Sequence, residues 1–170
     1  MAALEDTWRD NLVAHIKRRA AGVYIAKQTA LAMVYPGTPD LYLSGAKGDL
    51  HLELKLMRPS RWERFVAGSS SIQACLVHKI EPAQIAWLHA ASKRFAQGAL
   101  SGCAQRSAAV VVLIPNNTVT RLAGGVWIDA SAVRDVDVLT RSRVQYLERA
   151  DLITKIIATV KDMEHTNETQ

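Results

Sequence analysis

Two consecutive segments near the middle of the chain alternate leucine with a polar residue, over residues 40–44 and 50–56. A loop that begins and ends with glycine, residues 45–48, separates them, which is typical of a β-hairpin. The pattern predicts an antiparallel pair of strands with one buried leucine face. The other face carries Asp40, Tyr42 and Ser44 on the first strand and His51, Glu53 and Lys55 on the second.

Apolar residues at helical spacing predict three helices. Residues 4–20 carry an apolar residue every fourth position and end in a run of cations, which favours the helix dipole. Residues 82–97 begin with a proline, which suits the first position of a helix, and continue with an apolar stripe. Residues 143–161 carry a third apolar stripe, and residues 163–170 are expected to fray.

Short β-branched or fully apolar runs predict the remaining strands. One lies within 23–35, a buried central strand covers 108–114, and another lies within 119–129 after a turn at 115–118. Residues 58–80 are expected to be irregular or partly helical. The sequence therefore predicts an α/β fold, with a mixed sheet flanked by helices in a single domain over residues 1–162.

Composition sets outer limits on function. A chain of 170 residues with 49% hydrophobic content fits one globular domain, and no apolar run approaches the 20 or so residues that span a bilayer. The first residues lack the pattern of a signal peptide, and Cys75 and Cys103 are too few for a disulfide framework. We expect a cytoplasmic protein of a bacterium or phage-infected cell, not secreted and not bound to a membrane. The net charge of +5 suits a polyanionic partner.

The hairpin also predicts a site. If its loop is symmetric, Asp40 lies opposite Glu53 and Tyr42 opposite His51, with Cβ atoms about 4.5–5.5 Å apart. Two opposed carboxylates repel each other unless a cation lies between them, and hard oxygen ligands suit Mg²⁺ or Mn²⁺. Lys55, on the same face, could orient the attacking water or neutralise charge on a phosphate.

An ordinary interpretation of these residues stays open. Glu-x-Lys pairs are common on solvent-facing strands, and an aspartate after a proline often only terminates a turn. On that interpretation the acidic pair is solvated and the chain is an interaction or assembly protein.

The order of these motifs resembles a known nuclease family. Pro39-Asp40, then Glu53-Leu54-Lys55, on consecutive strands, is similar to the PD-(D/E)xK nuclease motif. The fuller strings GTPDLYL, LELK and EPAQIAWL, within residues 37–88, look like its VRR-NUC branch, the virus-type replication and repair nucleases.

The resemblance carries implications for fold and chemistry. It implies a restriction-endonuclease-like αβββαβ core, dependence on Mg²⁺ or Mn²⁺, and DNA as substrate, as in a structure-specific enzyme of replication, repair or recombination. It implies metal binding by Asp40 and Glu53, an assisting Lys55, and a supporting Gln84. It also suggests an acid from the first helix, for which Glu5 is the candidate, although acids are favoured in a first helical turn anyway.

Residues 58–80 contain candidate contacts to nucleic acid. These are Arg58, Arg61, Trp62, Arg64 and Lys79, the cations for phosphates and the tryptophan for an unpaired base. Alternatively the aromatic residues pack into the core and the arginines are solvated. A homodimer formed through residues 130–162 is a further expectation. A nucleic-acid-binding module without catalysis remains the main functional alternative.

Overall fold

A computed structural model describes most of the chain, namely residues 2–28, 35–100, 105–115 and 122–161. Side chains are described for these residues except 2–5, 99 and 100. The helices within this part are α1 Ala2–Arg19, α2 Trp62–Val66, α3 Ile72–Cys75, α4 Pro82–Leu100 and α5 Arg149–Val160. The strands are β1 Tyr24–Lys27, β2 Leu41–Ser44, β3 Gly48–Leu56, β4 Gln105–Pro115, β5 Leu122–Asp129 and β6 Gln145–Glu148. Short 3₁₀ segments lie at Pro59–Arg61, Ala130–Asp135 and Arg141–Arg143.

The strands form one six-stranded sheet in the order β1-β2-β3-β4-β5-β6. Strands β3 and β4 are parallel, because α4 crosses over between them, and every other neighbouring pair is antiparallel. The expected α/β class with a mixed sheet and flanking helices is confirmed. The apolar run 108–114 falls inside β4, at the centre of the sheet, as predicted.

Each face of the sheet has its own hydrophobic core. The first core contains the leucines of β2 and β3 together with the apolar residues of α1 and α5. The second core contains α4, α2, α3 and alternate residues of β4 and β5. Strand β4 supplies both, since Ala109, Val111 and Leu113 face the first core while Val110 and Val112 face the second. Burial on both faces explains why its sequence is continuously apolar.

The hairpin forms in the predicted register. Tyr42 pairs with His51 and Leu41 with Leu52, which places the leucines in the first core. The other face is not open to solvent, however. Glu53 and Lys55 pair with Val110 and Val112, which belong to the second core, and their side chains are only 1% and 8% exposed. The interpretation of these two residues as a solvated surface pair is therefore wrong.

The predicted helix 143–161 is wrong in its first third. Val144 precedes β6, which pairs with β5 across Gly124 and Gly125, and the helix begins only at Arg149. A Cβ atom on Gly124 would lie 2.3 Å from the carbonyl oxygen of Leu147, so the glycine permits this strand to approach. Pairing with a sheet edge has overridden an apolar spacing that also fits a helix.

Residues 58–80 form a packed insertion between β3 and α4. Phe65, Ile72 and Ile80 are fully or almost fully buried in the second core. Its two ends lie side by side, because Met57 bridges to Leu76 and hydrogen bonds join the flanking backbone. The buried side chain of Gln73 both donates to and accepts from the backbone of Ile80, at 3.0 and 3.1 Å. The end of the insertion is thereby fixed just before α4 begins.

The remaining sequence expectations concern a membrane span, a dimer and segments outside the described residues. No helix among the described residues is long and apolar enough to cross a membrane. The apolar stripe of α5, part of the segment 130–162 through which a dimer is expected, is buried in the first core of the monomer. The homodimer stays a prediction. The tail 163–170, Cys103 and the turn beyond Pro115 lie outside the described residues.

Candidate active site

A small polar cavity lies where β2 begins, between the first turns of α1 and α4. Its volume is about 150 Å³. The residues that line it are Asp6 and Arg9 from α1, Asp40, the β3 residues Glu53, Leu54 and Lys55, and Gln84 from α4. Four of the residues singled out in the sequence, Asp40, Glu53, Lys55 and Gln84, are thus brought together.

Asp40 is held by a tight turn and by the neighbouring strand. Gly37 has φ +89°, and a Cβ atom there would lie 2.3 Å from the carbonyl oxygen of Ala83 in α4, so only glycine lets the turn pack so closely. Asp40 directly precedes β2, and continuing the register of β2 against β3 by one residue places it opposite Glu53. Its Oδ2 accepts a 2.9 Å hydrogen bond from the backbone N–H of Leu54. The other oxygen, Oδ1, is left to face the cavity.

Glu53 is the most enclosed of these acids. Its Oε1 accepts a hydrogen bond from Gln84 Nε2 and lies 3.0 Å from Lys55 Nζ. Its Oε2 is buried and makes no well-formed hydrogen bond among the described residues, although the nearby backbone N–H of Asp40 stabilises the carboxylate. A buried carboxyl oxygen without a well-formed hydrogen bond is costly, because burial removes its water and leaves it incompletely replaced. The site therefore carries one strong acceptor position that the described residues satisfy only in part.

Gln84 is oriented by the start of its own helix. It is the third residue of α4, and its Oε1 accepts a 2.9 Å hydrogen bond from the backbone N–H of Glu81, which precedes the helix. This is half of a capping box. Because the amide oxygen is used in this way, the Nε2 group must point the other way, toward Glu53. The helix start thus fixes the donor that holds the catalytic candidate.

The two carboxyl groups resist ionisation together. Burial is the main cause that raises the pKa of Glu53 from 4.5 to about 8; the charge on Asp40 adds to it and Lys55 opposes it. Burial also raises the pKa of Asp40, against the hydrogen bond from Leu54 and the charge on Lys55. Desolvation and a like charge are the two effects that disfavour an ionised acid. An added cation would reverse both effects.

Arg9 and Asp6 are site residues that the sequence reasoning missed. Arg9 is mostly buried, and its Nη1 lies 3.8 Å from Asp40 Oδ1 while Nη2 bonds to Asp6. Its Nε is buried, lies 3.9 Å from Asp10 Oδ1 and makes no hydrogen bond among the described residues. The spacing of three residues on the first helix was a usable signal, because it sets the two side chains on one helical face. The side chain of Glu5, the acid expected from this helix, lies outside the described ones.

The donor set was compared with what a divalent cation requires. No group of three or more His, Cys, Asp or Glu side chains that could hold a metal occurs among the described residues. Mg²⁺, however, typically takes only one or two carboxylates and completes its shell with water and phosphate oxygens. Asp40 and the incompletely satisfied Oε2 of Glu53 supply two hard oxygens at one cavity. The residues therefore fit a Mg²⁺ or Mn²⁺ ion that shares its shell with a substrate.

The expected nucleic-acid contacts occupy two kinds of environment. Trp62 is half-buried against the second core, with its ring centroid 6.0 Å from that of Phe65 and 5.3 Å from that of Tyr146. This matches the alternative in which the aromatic residues pack. Arg61 is half-buried, and the remaining cations of the set are exposed: Arg58, Arg64 and Lys79.

Comparison of the chain with protein-family models, with curated proteins and with solved structures found no match. The similarity to PD-(D/E)xK nucleases therefore rests on the order and spacing of Pro39-Asp40, Glu53-Leu54-Lys55 and Gln84 in the sequence. The geometry of the cavity is independent of that similarity.

Proposed function

We propose that the protein is a metal-dependent hydrolase of phosphodiester bonds in DNA. One observation carries the proposal: Glu53 is buried beside Asp40 and Lys55 in a cavity, with one carboxyl oxygen that lacks a well-formed hydrogen bond among the described residues. A buried acid with a raised pKa and unsatisfied bonding capacity is characteristic of functional sites, because folding alone does not favour it.

Asp40 and Glu53 are the residues that would hold the cation. A divalent ion there would polarise the phosphodiester, lower the pKa of the attacking water and neutralise the developing charge. Asp40 is pre-positioned, since its Oδ2 is anchored on Leu54. The site also keeps its ligands in one geometry before substrate arrives, which limits the reorganisation that binding requires.

Lys55 and Gln84 act on the same carboxyl oxygen. Lys55 Nζ, 3.0 Å from Glu53 Oε1, would orient the attacking water and stabilise negative charge on the phosphate. Gln84 bonds Oε1 and so restrains the rotamer of Glu53, which would leave Oε2 for the cation. Arg9 would contact a phosphate oxygen through Nη1, which lies 3.8 Å from Asp40 Oδ1.

The polymer substrate is supported by charge and by topology. The net charge of +5 favours a polyanion. The element order α1-β1-β2-β3, then α4 and β4, agrees with the αβββαβ order of restriction-endonuclease-like cores, with the insertion added before α4. Both points support a DNA nuclease related to the VRR-NUC type.

Cleavage of a labelled DNA panel tests the proposal. The panel contains duplex, single strand, flap and four-way junction, each with Mg²⁺, Mn²⁺ or EDTA. Metal-dependent cutting is expected, and Glu53→Gln and Lys55→Met should reduce it by at least about a hundredfold, the scale of losing one charge-stabilising group. The exposed residues Glu63 and Lys17 provide matched controls as Glu63→Gln and Lys17→Met.

Two results would count against the proposal. Cutting that survives Glu53→Gln would assign the activity to another site or a contaminant. Binding of DNA without cutting under every metal would favour a binding module that lacks catalysis.

A further inference from the structure

A row of aromatic rings crosses the sheet beside the candidate active site. It contains Tyr24 on β1, Tyr42 on β2, His51 on β3, and Trp87 and Phe95 on α4. Successive ring centroids are 6.3 Å apart for Tyr24 and Tyr42, 5.1 Å for Tyr42 and His51, and 5.2 Å for His51 and Trp87. Phe95 stacks on His51 at 5.8 Å with an interplanar angle of 18°. We refer to these five residues as the aromatic row.

The aromatic row lies on the face of the sheet that carries Glu53. Tyr42 pairs with His51 across the hairpin, and His51 is two residues from Glu53 on the same strand. Two residues of a strand span about 7 Å and return to the same face. The row therefore begins within about one nucleotide's length of the cavity.

The row is fixed at one end and accessible at the other. His51, Trp87 and Phe95 are half-buried and pack on one another, while Tyr42 is half-buried and Tyr24 is 63% exposed. Packed rings form a rigid surface, and a ligand that stacks on the outer two needs no rearrangement of the inner three.

Cations flank the inner end of this surface. Arg94 directly precedes Phe95 on α4, and Arg106 is the register partner of Asp49, which lies two residues before His51 on β3; both arginines are exposed. Arg106 also pairs with Asp49 at 3.4 Å. Stackable rings beside arginines are the combination that binds an unpaired nucleic-acid strand, because bases stack on the rings and phosphates meet the cations.

We propose that the aromatic row binds unpaired bases of a DNA strand next to the phosphodiester that the site cleaves. The proposal rests on the nuclease function proposed above. Tyr24 and Tyr42 form the accessible stacking surface, and the strand continues toward Asp40 and Glu53. Duplex DNA, whose bases are stacked on one another, cannot use this surface. The favoured substrate is therefore DNA with a single-stranded segment at the cut.

Binding measured without cleavage tests this surface. The Glu53→Gln protein is titrated in EDTA with fluorescent single-stranded and blunt duplex oligonucleotides, and anisotropy gives each Kd. We expect tighter binding of the single strand, weakened about five- to tenfold by Tyr24→Leu or Tyr42→Leu. Tyr42→Phe should retain the affinity, because it keeps the ring. Tyr35, which is also 63% exposed but outside the row, gives the matched control Tyr35→Leu.

The outcomes separate this proposal from the nuclease proposal. Equal losses for single strand and duplex, or no loss in either leucine variant, would overturn the stacking surface even if the wild type cuts DNA. A single-stranded RNA of the same sequence is titrated in the same way, and tighter binding of the RNA than of the DNA strand would overturn the assignment to DNA. Tyrosine-dependent binding by a wild type that cuts nothing would keep the surface and refute the nuclease.

Discussion

Replacing Glu53 with glutamine should make the protein more stable, by an amount that depends on pH. The pKa of Glu53 rises from 4.5 to about 8 in the folded state. The unfolded chain therefore releases this proton at lower pH than the folded chain, and folding stability falls as pH rises between the two values. Below pH 4.5 the acid is protonated in both states and costs nothing.

The size of the effect follows from the two pKa values. Each pKa unit corresponds to about 1.36 kcal/mol, so ionisable Glu53 costs the folded state about 3 kcal/mol at pH 7 and about 5 kcal/mol above pH 8. Glutamine removes this cost and can still accept the hydrogen bond from Gln84. It also removes the ion pair with buried Lys55, whose charge acts on Asp40 as well. We expect a net gain of about 2–4 kcal/mol at pH 8.5 and none at pH 5.

Urea unfolding in EDTA from pH 5 to 9 measures this directly. The difference in unfolding free energy between variant and wild type should grow by about 1.4 kcal/mol per pH unit up to about pH 7.5. Titrating groups that do not interact with Glu53 cancel in the difference. Glu63→Gln, at an exposed acid, should show no such slope. Parallel curves, or an equal loss of stability at every pH, would refute the buried, proton-retaining Glu53 described here.

Two further substitutions test how the cavity is built. Gly37→Ala should lower the free energy of unfolding in urea by about 2–4 kcal/mol and reduce cleavage, because the new Cβ meets a backbone carbonyl of α4. The control is Gly68→Ala, at a residue with φ +71° and nothing within 4 Å, which should cost only about 1 kcal/mol. Equal costs for the two variants would contradict the clash. Arg9→Met should tighten Mn²⁺ binding about tenfold in calorimetric titration, since it removes a positive charge beside Asp40. Arg19→Met, at the exposed end of α1, serves as the control, and unchanged Mn²⁺ affinity for the Arg9 variant would contradict a competing guanidinium.

The part of the site that could be predicted from the sequence is local. A loop with a glycine at each end and two alternating segments determine the pairing of Tyr42 with His51, and the pairing puts Asp40 beside Glu53. Gln84 could be placed because it falls in the first turn of a helix that begins with a proline. Each of these inferences spans only a few residues or one turn.

What could not be predicted depends on packing between distant segments. In the sequence, the face of β3 that carries Glu53 looks polar and solvent-exposed. Its burial follows from the pairing of β3 with β4, which the local pattern does not contain. The helical spacing around Val144 gave no sign that residues 145–148 would pair with β5, since that pairing depends on glycines twenty residues earlier. The helical spacing of Asp6 and Arg9 sets both on one face of α1, but it does not show that this face meets Asp40, because that contact depends on how α1 packs on the sheet.

Because the two ends of the insertion are held together, its sequence can change without moving the site residues that follow it. Met57 and Leu76 hold its ends together, and Gln73 locks Ile80 before α4. The entropy of closing such a loop grows only slowly with its length, so the exposed tip at residues 66–69, between buried Phe65 and Ile72, could lengthen or be exchanged at little thermodynamic cost. Homologues are therefore expected to differ most in this segment while Gln84 keeps its place. In an engineered version, a foreign recognition element could be grafted there without moving the carboxylates.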